Sequence, residues 1–387
     1  MGSDHAFIKS TLKRTTAYQC TSSSTAFSDA QSRAKLVEND AYGHATSKEE
    51  YDGLCQTAID AAENTSSAGS TISDPIQSHQ HQDQENWSSG EKIGPYQYCL
   101  HHFDGLHSTI YKSKREDRSL VAVKVTIPHL LTAPHDVYLE ARFLREAAST
   151  HVVPLLDTLK VDGGRFILVF PFLRYDFEHL LRRDMLTATQ VKSHLGDMFS
   201  ALEHLHELGI VHRDIKPSNI LMDSPEGPAY LADFGIAWKE GYNLSEPFDQ
   251  KITDVGTTCY RPPEILFGYR GYGTTLDLWA AGCVVAEAVG VGHKQLFDPG
   301  PVGSDLSLIR SIFTTLGTPD EETWPETKTL PDWSKVEFYK YPAKRWEDIL
   351  RGAPSSGRDL VSKLVHYESS ERMSAHEALR HPYFSTL

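Results

Sequence analysis

His212-Arg213-Asp214-Ile215-Lys216-Pro217-Ser218-Asn219 sets a carboxylate, an ammonium and an amide within one short segment. Fourteen residues past Asn219 stands Asp233-Phe234-Gly235. Well upstream lies Val121-Ala122-Val123-Lys124, and downstream Arg261-Pro262-Pro263-Glu264. An isolated Asp-Phe-Gly arises often by chance; four such elements in this order and at these spacings do not. Just ahead of the first segment, residues 188–208 read as the clearest helix in the chain. Val191, Leu195, Met198, Leu202 and Leu205 fall on one face, and Gly209 stands just past its end.

Further outward the chain divides by composition. Residues 96–100, 108–112 and 120–125 read as short strands and 133–148 as a helix. Residues 152–160 and 165–170 read as two more strands, joined by the turn Asp162-Gly163-Gly164. Beyond Tyr175 the pattern is mainly helical. The predicted fold is α+β, with a small strand-rich lobe over residues 91–174 and a larger helical lobe over 175–387. The cleft between them is the expected site. Residues 1–90 differ: CTSSSTAFSD, ENTSSAGSTISD and QSHQHQDQENW are rich in Ser, Thr, Gln and His. They offer too little apolar surface to offset chain entropy, which predicts a disordered tail. A partner-binding or phosphorylated segment is the alternative. The His/Gln run reads as solvated low complexity rather than a metal site.

Of 387 residues, 38 are Lys or Arg and 52 are Asp or Glu, a net charge of −14. That balance speaks against a general binder of nucleic acid or anionic membrane. Cys20, Cys55, Cys99, Cys259 and Cys283 lie far apart with no CxxC spacing. This argues against a disulfide scaffold or a zinc site and for a reducing compartment. The apolar run 276–292 carries Asp277 and Glu287 and is too short to span a bilayer. MGSDHAFIKSTLKRTT has no apolar signal core, and Ala6 spoils a myristoylation match at Gly2. A soluble intracellular protein is expected.

In this order, the four elements resemble the protein kinase family, and the resemblance covers residues 91–387. It implies the bilobal kinase fold and phosphoryl transfer from ATP with Mg²⁺, chemistry that is mostly positioning and charge stabilisation. It implies that Lys124 holds the α- and β-phosphates, oriented by Glu140 on the following helix, with Glu146 as the alternative. Asp233 and Asn219 would ligate Mg²⁺. Asp214 would accept the proton of the substrate hydroxyl, and Lys216 would stabilise charge on the phosphoryl group, a Ser/Thr-type feature. Phe170 would be the gatekeeper ahead of a Pro171-Phe172-Leu173 hinge that meets adenine through its backbone. Asp277 would brace the catalytic loop, while Glu264 and Arg372 would pair to fix the end of the activation segment. The plainer alternatives are an exposed strand lysine for Lys124 and a solvated helix face for Glu140.

Within kinases, FILVFPFLRYDFEHLL, YRPPEILFG, DLWAAGCVVAEAV, SIFTTLGTPDEETWP and ERMSAHEALRHPYF are similar to the cyclin-dependent kinase branch. The departures are informative. Where that branch has G-x-G-x-x-G, this chain has Phe103-Asp104-Gly105-Leu106-His107-Ser108, and only Gly105 survives to cradle phosphate. The cyclin-binding segment P-S-T-A-I-R-E becomes Pro134 to Glu140, matching only at its ends. Leu139 and Trp238 stand where two arginines are usual, which leaves Arg213 alone. A phosphothreonine of about −1.5 to −2 charge wants an Arg cluster. The residue usually phosphorylated aligns with Ile252, beside Thr253, and Ser245 is a further candidate for modification.

These features resemble monomeric fungal CDK-activating kinases. The resemblance implies protein substrates that are themselves cyclin-dependent kinases, no need for a cyclin, and a place in nucleus and cytoplasm. If Gly256 relaxes, its carbonyl is open to a substrate N–H and Pro after the acceptor loses its advantage; a Gly256 that stays strained, with Arg261 in place, would keep that preference. A conventional partner-dependent, proline-directed kinase and a catalytically weak pseudokinase scaffold are the two alternatives.

Overall fold

The computed structural model describes residues 87–242 and 246–385, which fall in one compact unit, Asn86–Leu387. Residues 1–86 of the expected tail, with Cys20 and Cys55, and Ser245 lie outside the described residues. Alternation builds the first lobe. β1 (Glu91–Ile93), β2 (Tyr96–Asp104), β3 (Ser108–Lys114), β4 (Leu120–Thr126), β5 (Asp157–Val161) and β6 (Arg165–Pro171) form one sheet. Its order is β1-β2-β3-β4-β6-β5, and every pairing is antiparallel. Val121, Val123 and Val125 of β4 join Ile93, Cys99, Ile167 and Val169 in a core on one face. The two-residue period turns Lys124 to the opposite face, toward the cleft.

Boundaries differ from the sequence reading for local reasons. Ordered chain begins before residue 91: Trp87–Ser89 forms a 3₁₀ turn, and Lys114 Nζ lies 3.9 Å from the Trp87 ring. β1 has only three residues and one buried side chain, too few to show a period. The helix expected from 133 is α1 (Val137–Glu146), because the Asp136 carboxylate caps the N–H groups of Tyr138 and Leu139. The strand expected from 152 begins at Asp157. Ahead of it lie Pro154 and a single parallel bridge from Val152 to Leu231.

The second lobe is helical. α2 (Ala188–Glu207) starts at a capping box made by Thr187 and Gln190, and all five residues of its expected apolar face are buried. The apolar run around 276–292 is α3 (Thr275–Val289), the buried central helix of this lobe, packed against Ser355–Leu364. No helix among the described residues is long and apolar enough to cross a membrane. Short ladders frame the cleft floor. β7 (Tyr175–Asp176), β9 (Ile220–Met222) and β10 (Tyr230–Leu231) make one small sheet; β8 (Ile210–Val211) pairs with β11 (Trp238–Lys239). Residues 212–219 are thereby held out between β8 and β9, and 232–237 between β10 and β11. Cys99, Cys259 and Cys283 are free thiols buried in the cores.

Candidate active site

Three charged side chains meet across the cleft. Lys124 Nζ lies 2.6 Å from Glu140 Oε1 and 3.0 Å from Asp233 Oδ1. Burial pulls the Lys124 pKa down, but Asp233 and Glu140 hold it above the ordinary lysine value. The Lys124 charge in turn holds Asp233 well below the usual carboxylate range. Desolvation pushes Glu140 up against the pull of Lys124. Glu140 is therefore the partner on α1; Glu146 is spent on Lys239 and Tyr242. The plainer readings of Lys124 and Glu140 as solvated residues fail, since Glu140 is 3% exposed.

Asp214 sits at the centre of a second cluster. Its Oδ1 accepts the Thr257 N–H and the Thr257 hydroxyl, both at 2.9 Å. Lys216 Nζ lies 2.8 Å from Oδ2 and donates to Thr257 Oγ1 at 3.0 Å. Asn219 Nδ2 donates to the Asp214 carbonyl at 2.8 Å and to Oδ2 at 3.1 Å. Thr257, which the sequence reading passed over, shows this carboxylate accepting a threonine hydroxyl. The Asn219 amide nitrogen being spent on Asp214, its oxygen and the anionic Asp233 are the donors suited to a hard cation. Mg²⁺ commonly takes one or two carboxylates and completes its shell with phosphate and water. The residues fit such an ion. Among the described residues no group of three or more His, Cys, Asp or Glu forms a closed metal cage.

Support from below is complete. Asp277 is fully buried, and its carboxylate accepts the backbone N–H groups of His212 at 2.8 Å and Arg213 at 2.9 Å. His206 Nε2 adds a contact at 3.0 Å. Arg372 and Glu264 form a buried bidentate pair at 2.6 and 2.7 Å, and Arg372 also donates to Thr275 O and Tyr367 O.

The roof is slighter. Gly105 N–H donates to Ser108 O at 2.8 Å, closing a three-residue turn between β2 and β3. The His107 ring reaches inward to that of His135 at 4.0 Å, and His102 on β2 meets the Phe172 ring at 5.0 Å. At the hinge, Phe170 stands opposite Ala122, and Pro171, opposite Val121, ends the paired part of β6. Phe172 N–H donates to Leu120 O at 3.1 Å, and Pro171 has no N–H. Of the three hinge residues, this leaves Leu173 as the one whose N–H can face adenine.

In the activation segment Gly256 stays strained rather than relaxed: its φ is +73°, and a Cβ there would lie 2.5 Å from Arg213 O. Its carbonyl accepts Arg261 Nε–H at 3.1 Å. Close approach of the catalytic loop forces the left-handed backbone, and Arg261 holds the carbonyl away from a substrate. Leu139 and Trp238 are buried apolar residues, as their identities require. Arg213 is not left alone, however, because Glu246 Oε2 lies 2.6 Å from its Nη1. No spacing rule links residues 213 and 246; the only sequence signal is that a buried arginine needs a counterion.

Comparison with known proteins gives the following. The family described as "Protein kinase domain" matches residues 104–384. The chain is 36% identical over 274 residues to "Serine/threonine-protein kinase csk1" of Schizosaccharomyces pombe, covering 70% of this chain and 88% of that one. It is 36% identical over 290 residues to "Cyclin-dependent kinase 7" of Xenopus laevis, covering 73% and 79%. It is 34% identical over 291 residues to "Cyclin-dependent kinase 20" of Danio rerio, covering 73% and 81%.

Proposed function

This chain belongs to the protein kinase family, as a serine/threonine kinase of the cyclin-dependent kinase branch, and on that premise we propose that it works without a cyclin and without a phosphate on its own activation segment. Its substrates in this reading are activation-segment threonines of other cyclin-dependent kinases. Mg-ATP supplies the phosphoryl group. Lys124, steered by Glu140, binds the α- and β-phosphates, while Asp233 and Asn219 would hold Mg²⁺. Asp214 orients the acceptor hydroxyl and takes its proton as the oxygen attacks. Lys216, beside Asp214, balances the negative charge that builds on the phosphoryl group.

The carrying observation is the Lys124–Glu140 pair, closed at 2.6 Å in the lone chain with Leu139 and Trp238 in the arginine places. A second reading, a conventional proline-directed kinase, is favoured by Gly256. With its carbonyl turned to Arg261, a substrate residue that lacks an N–H loses nothing. The test is phosphotransfer by the purified chain, with and without phosphatase treatment, on an intact cyclin-dependent kinase and on Ser/Thr-Pro peptides. Treated protein and Thr253→Ala should stay within a few-fold of the untreated rate and should modify the intact kinase. A large loss restored by rephosphorylation or by a cyclin, with activity confined to Ser/Thr-Pro peptides, would establish the second reading.

A further inference from the structure

Arg213 carries its charge into the interior, its side chain 1% exposed. A buried guanidinium left unpaired is costly, so the atoms that face it define its role. Nε donates to Ile236 O, and Nη1 meets the Tyr272 hydroxyl at 3.1 Å and Glu246 Oε2 at 2.6 Å. Glu246 Oε1 accepts the Ile252 N–H at 2.9 Å, and the Glu246 carbonyl accepts Trp238 Nε1–H at 2.8 Å. One residue thus ties together the catalytic loop, β11, and the stretch that leads from Ile252 to Thr257. Thr257 is the residue whose N–H holds Asp214.

With Leu139 and Trp238 in place of arginines, the cations left around Glu246 are Arg213, paired with it directly, and the buried Lys251, whose Nζ donates to Phe248 O at 2.5 Å and lies over the Trp238 and Tyr272 rings. Ile252 stands where a phosphorylated threonine is usual, and it is held by its backbone N–H rather than by a side-chain phosphate. We propose that Glu246 is a built-in anion in the place of an activating phosphate, a positioning residue that fixes the activation segment against the catalytic loop. This rests on the reading that the chain needs no phosphate of its own. The ion pair also lines a cavity of about 300 Å³ with Leu131, Leu139 and Trp238. A small anion added from solution has room there once the Glu246 side chain is removed.

The test uses the full chain, treated with phosphatase and verified as unphosphorylated by mass spectrometry. Glu246→Gln keeps the shape and removes the charge. It should lower kcat about ten- to a hundredfold, the weight of charge-assisted hydrogen bonds, with little change in KM for ATP. Glu246→Ala should lose as much, and added acetate should restore part of the rate while chloride does not. Thermal melts of both variants separate loss of fold from loss of positioning, since a merely structural residue would not be rescued by acetate. A Gln variant within twofold of wild type, or a folded Ala variant that acetate leaves unchanged, overturns the proposal. An inactive unphosphorylated wild type would instead sink the reading beneath it, so the two failures are distinct.

Discussion

Asp214, on the floor of the cleft, is gripped by the Thr257 N–H and hydroxyl, by Lys216 and by Asn219, whereas Asp104, on the roof, leans on an exposed His101 at 2.9 Å and on Thr109. The difference runs through both regions. Floor residues hang from buried anchors: Asp277 holds the loop from beneath, and Glu264 with Arg372 locks the segment that follows. The roof is a three-residue turn with Phe103 and Leu106 more than half exposed. A site built this way keeps its reaction geometry in the floor, which explains how two of three loop glycines can be absent. Charge positioned against the transferring group needs rigid partners, which the floor and the buried Lys124–Glu140 pair have and the turn at Gly105 lacks.

Removing the central floor carboxylate should do the most damage. Asp214→Asn keeps the shape, and its amide can still accept from Thr257, but it cannot take a proton. Phosphotransfer should fall about 10²- to 10⁴-fold with the melting temperature little changed. A variant that keeps more than about a tenth of the rate would break the comparison, since the floor would then not own the chemistry.

Much of this was legible in the sequence, and the reason is physical. Lys124, Asp233 and Asp277 are charged residues in segments that otherwise read as apolar, and the structure buries or pairs each of them. Other features left no trace. A glycine carries no information about its own torsion, so Gly256 could be read as relaxed when the nearby Arg213 carbonyl holds it at φ +73°. Glu246 finds Arg213 only through the path of the folded segment. The start of α1 depends on one cap, Asp136, rather than on periodicity.

The floor's foundation has one charge that lacks such partners, and it gives a smaller effect. Glu287, on α3, is 1% exposed and accepts the Tyr260 hydroxyl at 2.8 Å. Its pKa is pushed up to about 7, chiefly by burial with Glu178 adding to it, against the Tyr260 hydrogen bond and Arg182. Because the folded pKa lies above the ordinary value, the folded state binds this proton more tightly than the unfolded chain. The stabilising effect is whole below about pH 4.5 and is lost as pH rises through about 7. Glu287→Gln keeps a hydrogen-bonding oxygen and removes the titration. At pH 8 it should stabilise the protein by on the order of 2–3 kcal/mol at most. The gap between variant and wild type should close in thermal melts as pH falls toward 5. A gap that stays constant would mean that the carboxylate is solvated in the folded protein.

The smallest effect is expected at the roof itself. A Cβ on Gly105 would lie 3.2 Å from Ser108 O and 3.5 Å from Ser108 Oγ, a crowding that a shift of a few tenths of an ångström in the turn relieves. The backbone here is not left-handed, so alanine adds no torsional strain. Gly105→Ala should therefore raise KM for ATP no more than a few-fold. Lys124→Ala is the control on the same ligand. It removes the cation that faces phosphate and strands Glu140 without its partner, so charge-assisted bonds worth about 1.5–3 kcal/mol are lost. Steady-state kinetics on the two variants should thus place Lys124→Ala well above Gly105→Ala in ATP KM. The reverse order would show that the turn at Gly105 cradles phosphate through its backbone after all. The roof would then share the work that its sparse anchoring assigns to the floor.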